Sequence, residues 1–144
     1  MATIPKKLHQ PIMAAFPQTP CLVATVLPNG YAQVTPRGSV QAFDDDHLSI
    51  WERGRGSTNA NLHDGSKVTV YLHNWGLKES GVLPIGGLVR FYGIASIHKS
   101  GQFYDEVWRR LIDPEKNSDP EKKGFAVLVR VERTEDLLGN LVTD

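Results

Sequence analysis

The residues from Trp51 to Leu62, Trp-Glu-Arg-Gly-Arg-Gly-Ser-Thr-Asn-Ala-Asn-Leu, carry the residue types and the order that could do chemistry. An alternating stretch from His47 to Glu52, with Leu48 and Ile50 on one face, runs into Gly54 and Gly56, which release the backbone into a turn. Ser57 is then a good N-cap for a helix through Asn61 and Leu62. At such a start the uncapped N–H groups and the positive end of the helix dipole favour an anion, here beside the hydroxyls of Ser57 and Thr58 and the guanidinium groups of Arg53 and Arg55. A phosphate suits that junction. On these residues alone, so does a capped surface helix with two solvated arginines.

Arg37, between Pro36 and Gly38, reads equally as an exposed strand residue and as a fork for a phosphate or carboxylate. Gly-Arg-Gly-Ser-Thr is not a nucleotide-triphosphatase loop, because the lysine and the parallel α/β pattern are missing. No serine has a nucleophile-elbow context, and Cys21 falls in an apolar strand where a thiol is inert. Asp44-Asp45-Asp46 is a charged turn too tight to wrap a cation. The five histidines never take the spacing of a helical metal pair, so no metal site is expected.

Sixteen basic residues balance sixteen acidic ones. The charge therefore calls for neither nucleic acid nor an anionic membrane, and a small ligand or a protein partner is favoured. One cysteine excludes an intrachain disulfide, and no signal peptide or long apolar run is visible; the expectation is a cytoplasmic protein. A chain of 144 residues fits a single domain, 1–144.

The elements that would position these residues follow from periodicity. Leu8, Ile12, Ala15 and Phe16 mark a short helix within an N-terminal segment, 1–18, that starts near His9 or Gln10 because of Pro11. Cys21–Leu27, the turn Pro28-Asn29-Gly30 and Tyr31–Thr35 form a β-hairpin. Gly38–Phe43, His47–Glu52 and Lys67–His73 read as further strands. Gly87–His98 reads as a bent strand with a bulge at Gly93. Its opposite face carries Arg90 and Tyr92, toward a partner subunit or solvent. Ser100 caps a helix to about Ile112 whose Phe103, Val107 and Leu111 plug or cover the barrel. The charged residues 113–124 read as a mobile loop, Phe125–Arg133 as a last strand, and Thr134–Leu138 as one helical turn. Six or more short antiparallel strands with few helices imply a mainly β fold, a small barrel without exposed edges.

Three segments in this order resemble the FMN-binding split-barrel family, which includes the pyridoxamine-phosphate oxidases and small flavin-binding electron carriers. They are Asn29-Gly30-Tyr31-Ala32-Gln33-Val34-Thr35-Pro36-Arg37-Gly38-Ser39, Ser57-Thr58-Asn59-Ala60-Asn61-Leu62, and Arg90-Phe91-Tyr92-Gly93-Ile94-Ala95, and the likeness runs from about Pro20 to Val131. The resemblance implies a six-stranded antiparallel split barrel and a homodimer with FMN at the interface. It places Thr35, Pro36, Arg37 and Ser39 near the ring and ribityl chain, backbone contacts from Ile50, Trp51 and Glu52, and the phosphate at Ser57 and Thr58 with Asn61 behind them. Many members carry Arg or Lys where Ser57 stands, so Arg53, Arg55 or Arg37 would replace that cation. Trp75, beside Asn74 and Gly76 at a strand end, is the best candidate for a flavin or substrate contact, whereas Trp108 packs on its helix. The implied activity is flavin-dependent oxidoreduction of a small substrate, with the isoalloxazine carrying the electrons and no acid–base pair required. The alternatives are a non-catalytic FMN-binding electron carrier that serves a redox protein, or a haem- or deazaflavin-binding barrel of the same fold.

Overall fold

The computed structural model describes residues 2–53 and 61–144. Alternating, β-branched stretches become β1 (Cys21–Val26), β2 (Ala32–Arg37), β3 (Gln41–Ala42), β4 (His47–Glu52), β5 (Lys67–His73), β6 (Leu88–His98) and β7 (Phe125–Glu135). They form one sheet of seven strands in the order β2-β1-β5-β6-β7-β4-β3, and every pair is antiparallel. The fold is mainly β, a curled split barrel, with seven strands where the resemblance implies six. The strand expected over Gly38–Phe43 shrinks to Gln41–Ala42 because Gly38 and Ser39 carry the chain from one side of the barrel mouth to the other.

Side-chain alternation divides the interior in two. Cys21 and Val23 of β1, Val68, Val70 and Leu72 of β5, Val89 and Phe91 of β6, Leu48 and Ile50 of β4 and Val127, Val129 and Val131 of β7 make the main core. Ile4, Leu8 and Ile12, on a 3-10 turn (Lys6–Leu8) and α1 (His9–Met13), complete it as a plug. Trp51 points to the opposite face of β4 and joins Ala126, Leu128, Val107 and Leu111 in a second cluster. The helix α3 (Gln102–Arg110) covers that outer face, so the N-terminal segment, and not α3, fills the barrel. Its N-cap is Gly101, not Ser100, with no side-chain cap bond.

The bend in β6 falls where the alternation implies it, with a register shift against β7 between Tyr92 and Gly93. A Cβ on Gly93 would stand 2.6 Å from the Arg130 carbonyl, so only glycine admits this approach. Two expectations fail. Thr134 is buried and its hydroxyl donates to the Thr3 carbonyl (2.7 Å), which keeps β7 extended to Glu135 in place of a helical turn. Residues 113–124 are not a loose loop: they contain α4 (Asp113–Asn117) and bury both Glu115 and Asp119.

Candidate functional site

β2 ends one side of the sheet and β4 lies next to the other, yet the two meet at the barrel mouth. Because Arg37 pairs with inward-facing Cys21, and Glu52 shares a face with Ile50, both side chains turn into the same opening. Arg37 Nη2 lies 2.8 Å from Glu52 Oε2, and the Glu52 side chain is 1% exposed. Arg37 Nε is buried with no hydrogen-bond partner among the described residues. Ser39 adds a second fastening: its hydroxyl accepts from the Trp51 amide (3.0 Å) and donates to the Trp51 carbonyl (3.3 Å). The free backbone edge of Trp51 is thus taken up by Ser39.

A third fastening comes from the segment after α3. Asp119 Oδ2 accepts from Trp51 Nε1 (2.9 Å) and from the Gly124 amide (2.8 Å), and Oδ1 accepts from the Lys123 amide (2.9 Å). Burial pushes the Asp119 carboxyl up, but those hydrogen bonds and the nearby Arg53 charge outweigh it and hold it below its ordinary value. The Trp51 ring is packed between Trp108 and Tyr104, with centroids 5.0 and 5.3 Å away.

The candidate residues thus fall into separate places. Two contacts join the stretches at the mouth, Arg37 to Glu52 and Ser39 to the Trp51 backbone, while the Trp51 ring turns into the cluster under α3 and Pro36 alternates onto the exposed face of β2. Thr35 is half-buried, Pro36 exposed and Arg53 half-buried. Arg37 is not a free fork, since its charge faces Glu52. Ser57, Thr58 and Arg55 lie outside the described residues. Asn61 lines a cavity of about 320 Å³ with Thr25, His63, Ser66 and Lys67. Thr25 is buried and its Oγ1 has no hydrogen-bond partner among the described residues. A neighbouring cavity of about 300 Å³ shares Thr25, Val26 and Lys67 and reaches Ala32 and Tyr92. A further cavity of about 480 Å³ lies against Leu62, His63, Asp64, Lys99 and Phe125.

Trp75 begins α2 (Trp75–Lys78) and is 62% exposed, with Lys78 Nζ 4.2 Å from its ring centroid and His73 5.8 Å away. It stands just beyond the end of β5. Arg90 and Tyr92 do not simply face solvent: the Tyr92 hydroxyl donates to Glu135 (2.6 Å), which raises the phenol and lowers the carboxyl from their ordinary values, and Arg90 donates to the Asp136 carbonyl (2.9 Å). Cys21 is buried and its thiol is pushed up to about 12 by desolvation, as an inert cysteine should be. Among the described residues no group of His, Cys, Asp and Glu could hold a metal ion, and no helix is long and apolar enough to cross a membrane.

Thr25 and Asp119 escaped the sequence reading. Thr25 has no local signature within an apolar strand. Asp119 had one indirect signal, since a buried tryptophan needs an acceptor for its indole N–H.

A curled antiparallel sheet with this strand order and plugged mouth defines the split-barrel class, and the family can be given within it. The chain belongs to the pyridoxamine 5'-phosphate oxidase family, whose model matches residues 10–135. Among solved structures it is similar to HupZ of Group A Streptococcus (22% identity, 96% of this chain and 97% of that one, TM-score 0.70). It is also similar to a putative pyridoxamine 5'-phosphate oxidase of Lactobacillus delbrueckii (23%, 94% and 100%, 0.63). An FMN-binding protein of Syntrophomonas wolfei matches at 15% identity over 95% of this chain and 86% of that one, with a TM-score of 0.60. At these identities the likeness shows the fold alone. No curated protein matches the sequence.

Proposed function

We propose that the protein binds FMN and works as a flavin-dependent oxidoreductase on a small substrate, as a homodimer in the cytoplasm. The observation that carries this reading is that Arg37–Glu52 and Ser39–Trp51 join Thr35–Ser39 to Ile50–Arg53, two stretches separated by β3 and its turn that the resemblance assigns to one ligand. The residues fit the group. The cavity at Asn61 offers Lys67, His63 and the orphaned Thr25 hydroxyl, donors suited to an anion or a polyol.

In this reading Thr35, Pro36 and Ser39 line the ring and ribityl chain, and the backbone of Ile50 to Glu52 forms the floor. Asn61 supports the phosphate held by Ser57 and Thr58. Arg53 and Arg55 supply positive charge, since Arg37 is committed to Glu52. The flavin, when bound, supplies the redox chemistry, and the chain's task is to hold it and exclude water. Trp75 offers a planar contact at the rim. The outer face of β2 and β1, with Val34 and Val26 exposed, is the surface we assign to the partner subunit.

Two measurements test the proposal together. Purified protein should show a flavin absorption spectrum or acquire one on titration with FMN. Sedimentation across a dilution series should show the FMN-loaded form resisting dissociation, because a ligand that binds only the dimer stabilises it by mass action. A monomer that holds FMN with undiminished affinity would refute the shared site, and a protein that takes up no FMN would refute the reading as a whole.

A further inference from the structure

The segment 113–124 touches both strand ends on which the FMN reading rests. Glu115 lies against the end of β2: a side chain on Gly38 would come within 2.5 Å of Glu115 Oε1 and 2.7 Å of the Phe16 ring. Asp119 lies against the end of β4, through the Trp51 indole and the Gly124 amide. Gly124 itself sits so close to the Glu52 carbonyl that any Cβ would collide with it and would also stand 2.7 Å from Trp51 Nε1. These contacts are buried, and Asp119, 8% exposed, accepts three hydrogen bonds, more than a surface loop needs to stay attached.

We propose that Asp119, with Glu115 beside it, is a positioning residue for the flavin: it clamps the ends of β2 and β4 so that Thr35–Ser39 and Ile50–Arg53 can line one ligand. This rests on the FMN reading above. Asp119 acts only through its neighbours. Its carboxylate fixes the Trp51 ring, and the Trp51 backbone holds the Ser39 hydroxyl, which ends the β2 side of the mouth. Losing the carboxylate frees Trp51, and the slack passes directly to Ser39. Asparagine is not a substitute, because Asp119 uses both oxygens as acceptors and an amide NH₂ would face an N–H donor.

The test compares wild type with D119N, W51F and T134V by FMN titration, read as flavin fluorescence quenching and as visible circular dichroism of the bound flavin. T134V removes a buried hydrogen bond far from the clamp and serves as a matched loss of stability. D119N and W51F should each weaken FMN binding about tenfold, the scale of one hydrogen bond to a charged group, and change the visible dichroism. T134V should lower the melting temperature and leave both flavin readouts unchanged. If D119N fails to fold, W51F carries the test, since it removes the indole donor and keeps an aromatic ring, and T134V controls for the stability lost with the smaller side chain. Wild-type affinity and dichroism in the folded clamp variants, or equal losses in T134V, would overturn the proposal. Wild type that binds no FMN would instead overturn the flavin reading, so the two failures are distinct.

Discussion

At its C-terminal end β2 is fastened across the barrel mouth, Arg37 to Glu52 and Ser39 to the Trp51 backbone, whereas at its N-terminal end Ala32 and Val34 stand on an edge strand paired with β1. The fastened end is polar and buried. The open end is apolar and exposed, Val34 to 59% and Val26 to 63%. One strand therefore serves two purposes. Its bound end can hold a ligand in fixed geometry, and its open end presents a surface that a partner could cover.

The largest effect should come from breaking the fastened end. Glu52→Ala leaves Arg37 facing the barrel interior without its carboxylate, and urea unfolding should show a loss of about 3–5 kcal/mol. The double variant Arg37→Met/Glu52→Leu, which removes both charges, should recover most of it. Full loss in the double variant would mean that packing, not charge pairing, holds the mouth.

Next comes Asp119→Asn, with an expected cost of about 1.5–3 kcal/mol for hydrogen bonds to a charged acceptor. Its pH dependence has a fixed sign. The folded-state carboxyl lies below its ordinary value, so its contribution is complete above the unfolded pKa of about 3.9 and is lost as pH falls through the folded value. Melting temperatures of wild type and D119N should therefore differ near neutrality and converge in acid. A constant gap at every pH would contradict this account.

The strands were legible because alternation survives in sequence. Lys67–His73 and His47–Glu52 have the bounds that the pattern implies, and Gly93 marks the bulge. What was not legible depends on partners far away along the chain. Asp-Pro-Glu-Lys looks like solvated charge until Trp51 Nε1 is found against Asp119, and Thr134 looks like a helix start until Thr3 accepts its hydroxyl. The site was half legible for the same reason. Residue types proposed Arg37 as an anion fork, but only the fold shows that Glu52 faces it.

Smaller effects sharpen the comparison from the ligand side and from the open end. Ser57→Ala with Thr58→Ala should leave circular dichroism native and weaken FMN binding by about 1–3 kcal/mol, and Ser57→Lys should tighten it. Unchanged FMN affinity in the double alanine variant would move the anion site elsewhere. Val34→Ser should change monomer stability by no more than about 0.5 kcal/mol, yet shift sedimentation toward monomer. An unaltered dimer would remove the outer face of β2 from the interface.

The most direct measurement is the ratio of FMN to riboflavin affinity, taken by fluorescence quenching on the same wild-type preparation. The two ligands share the ring and ribityl chain and differ only in the phosphate, so the ratio isolates the anion site proposed at Ser57 and Thr58. The account predicts clear preference for FMN, and lower riboflavin affinity that Ser57→Ala/Thr58→Ala does not reduce further. Equal affinity for the two flavins would contradict it.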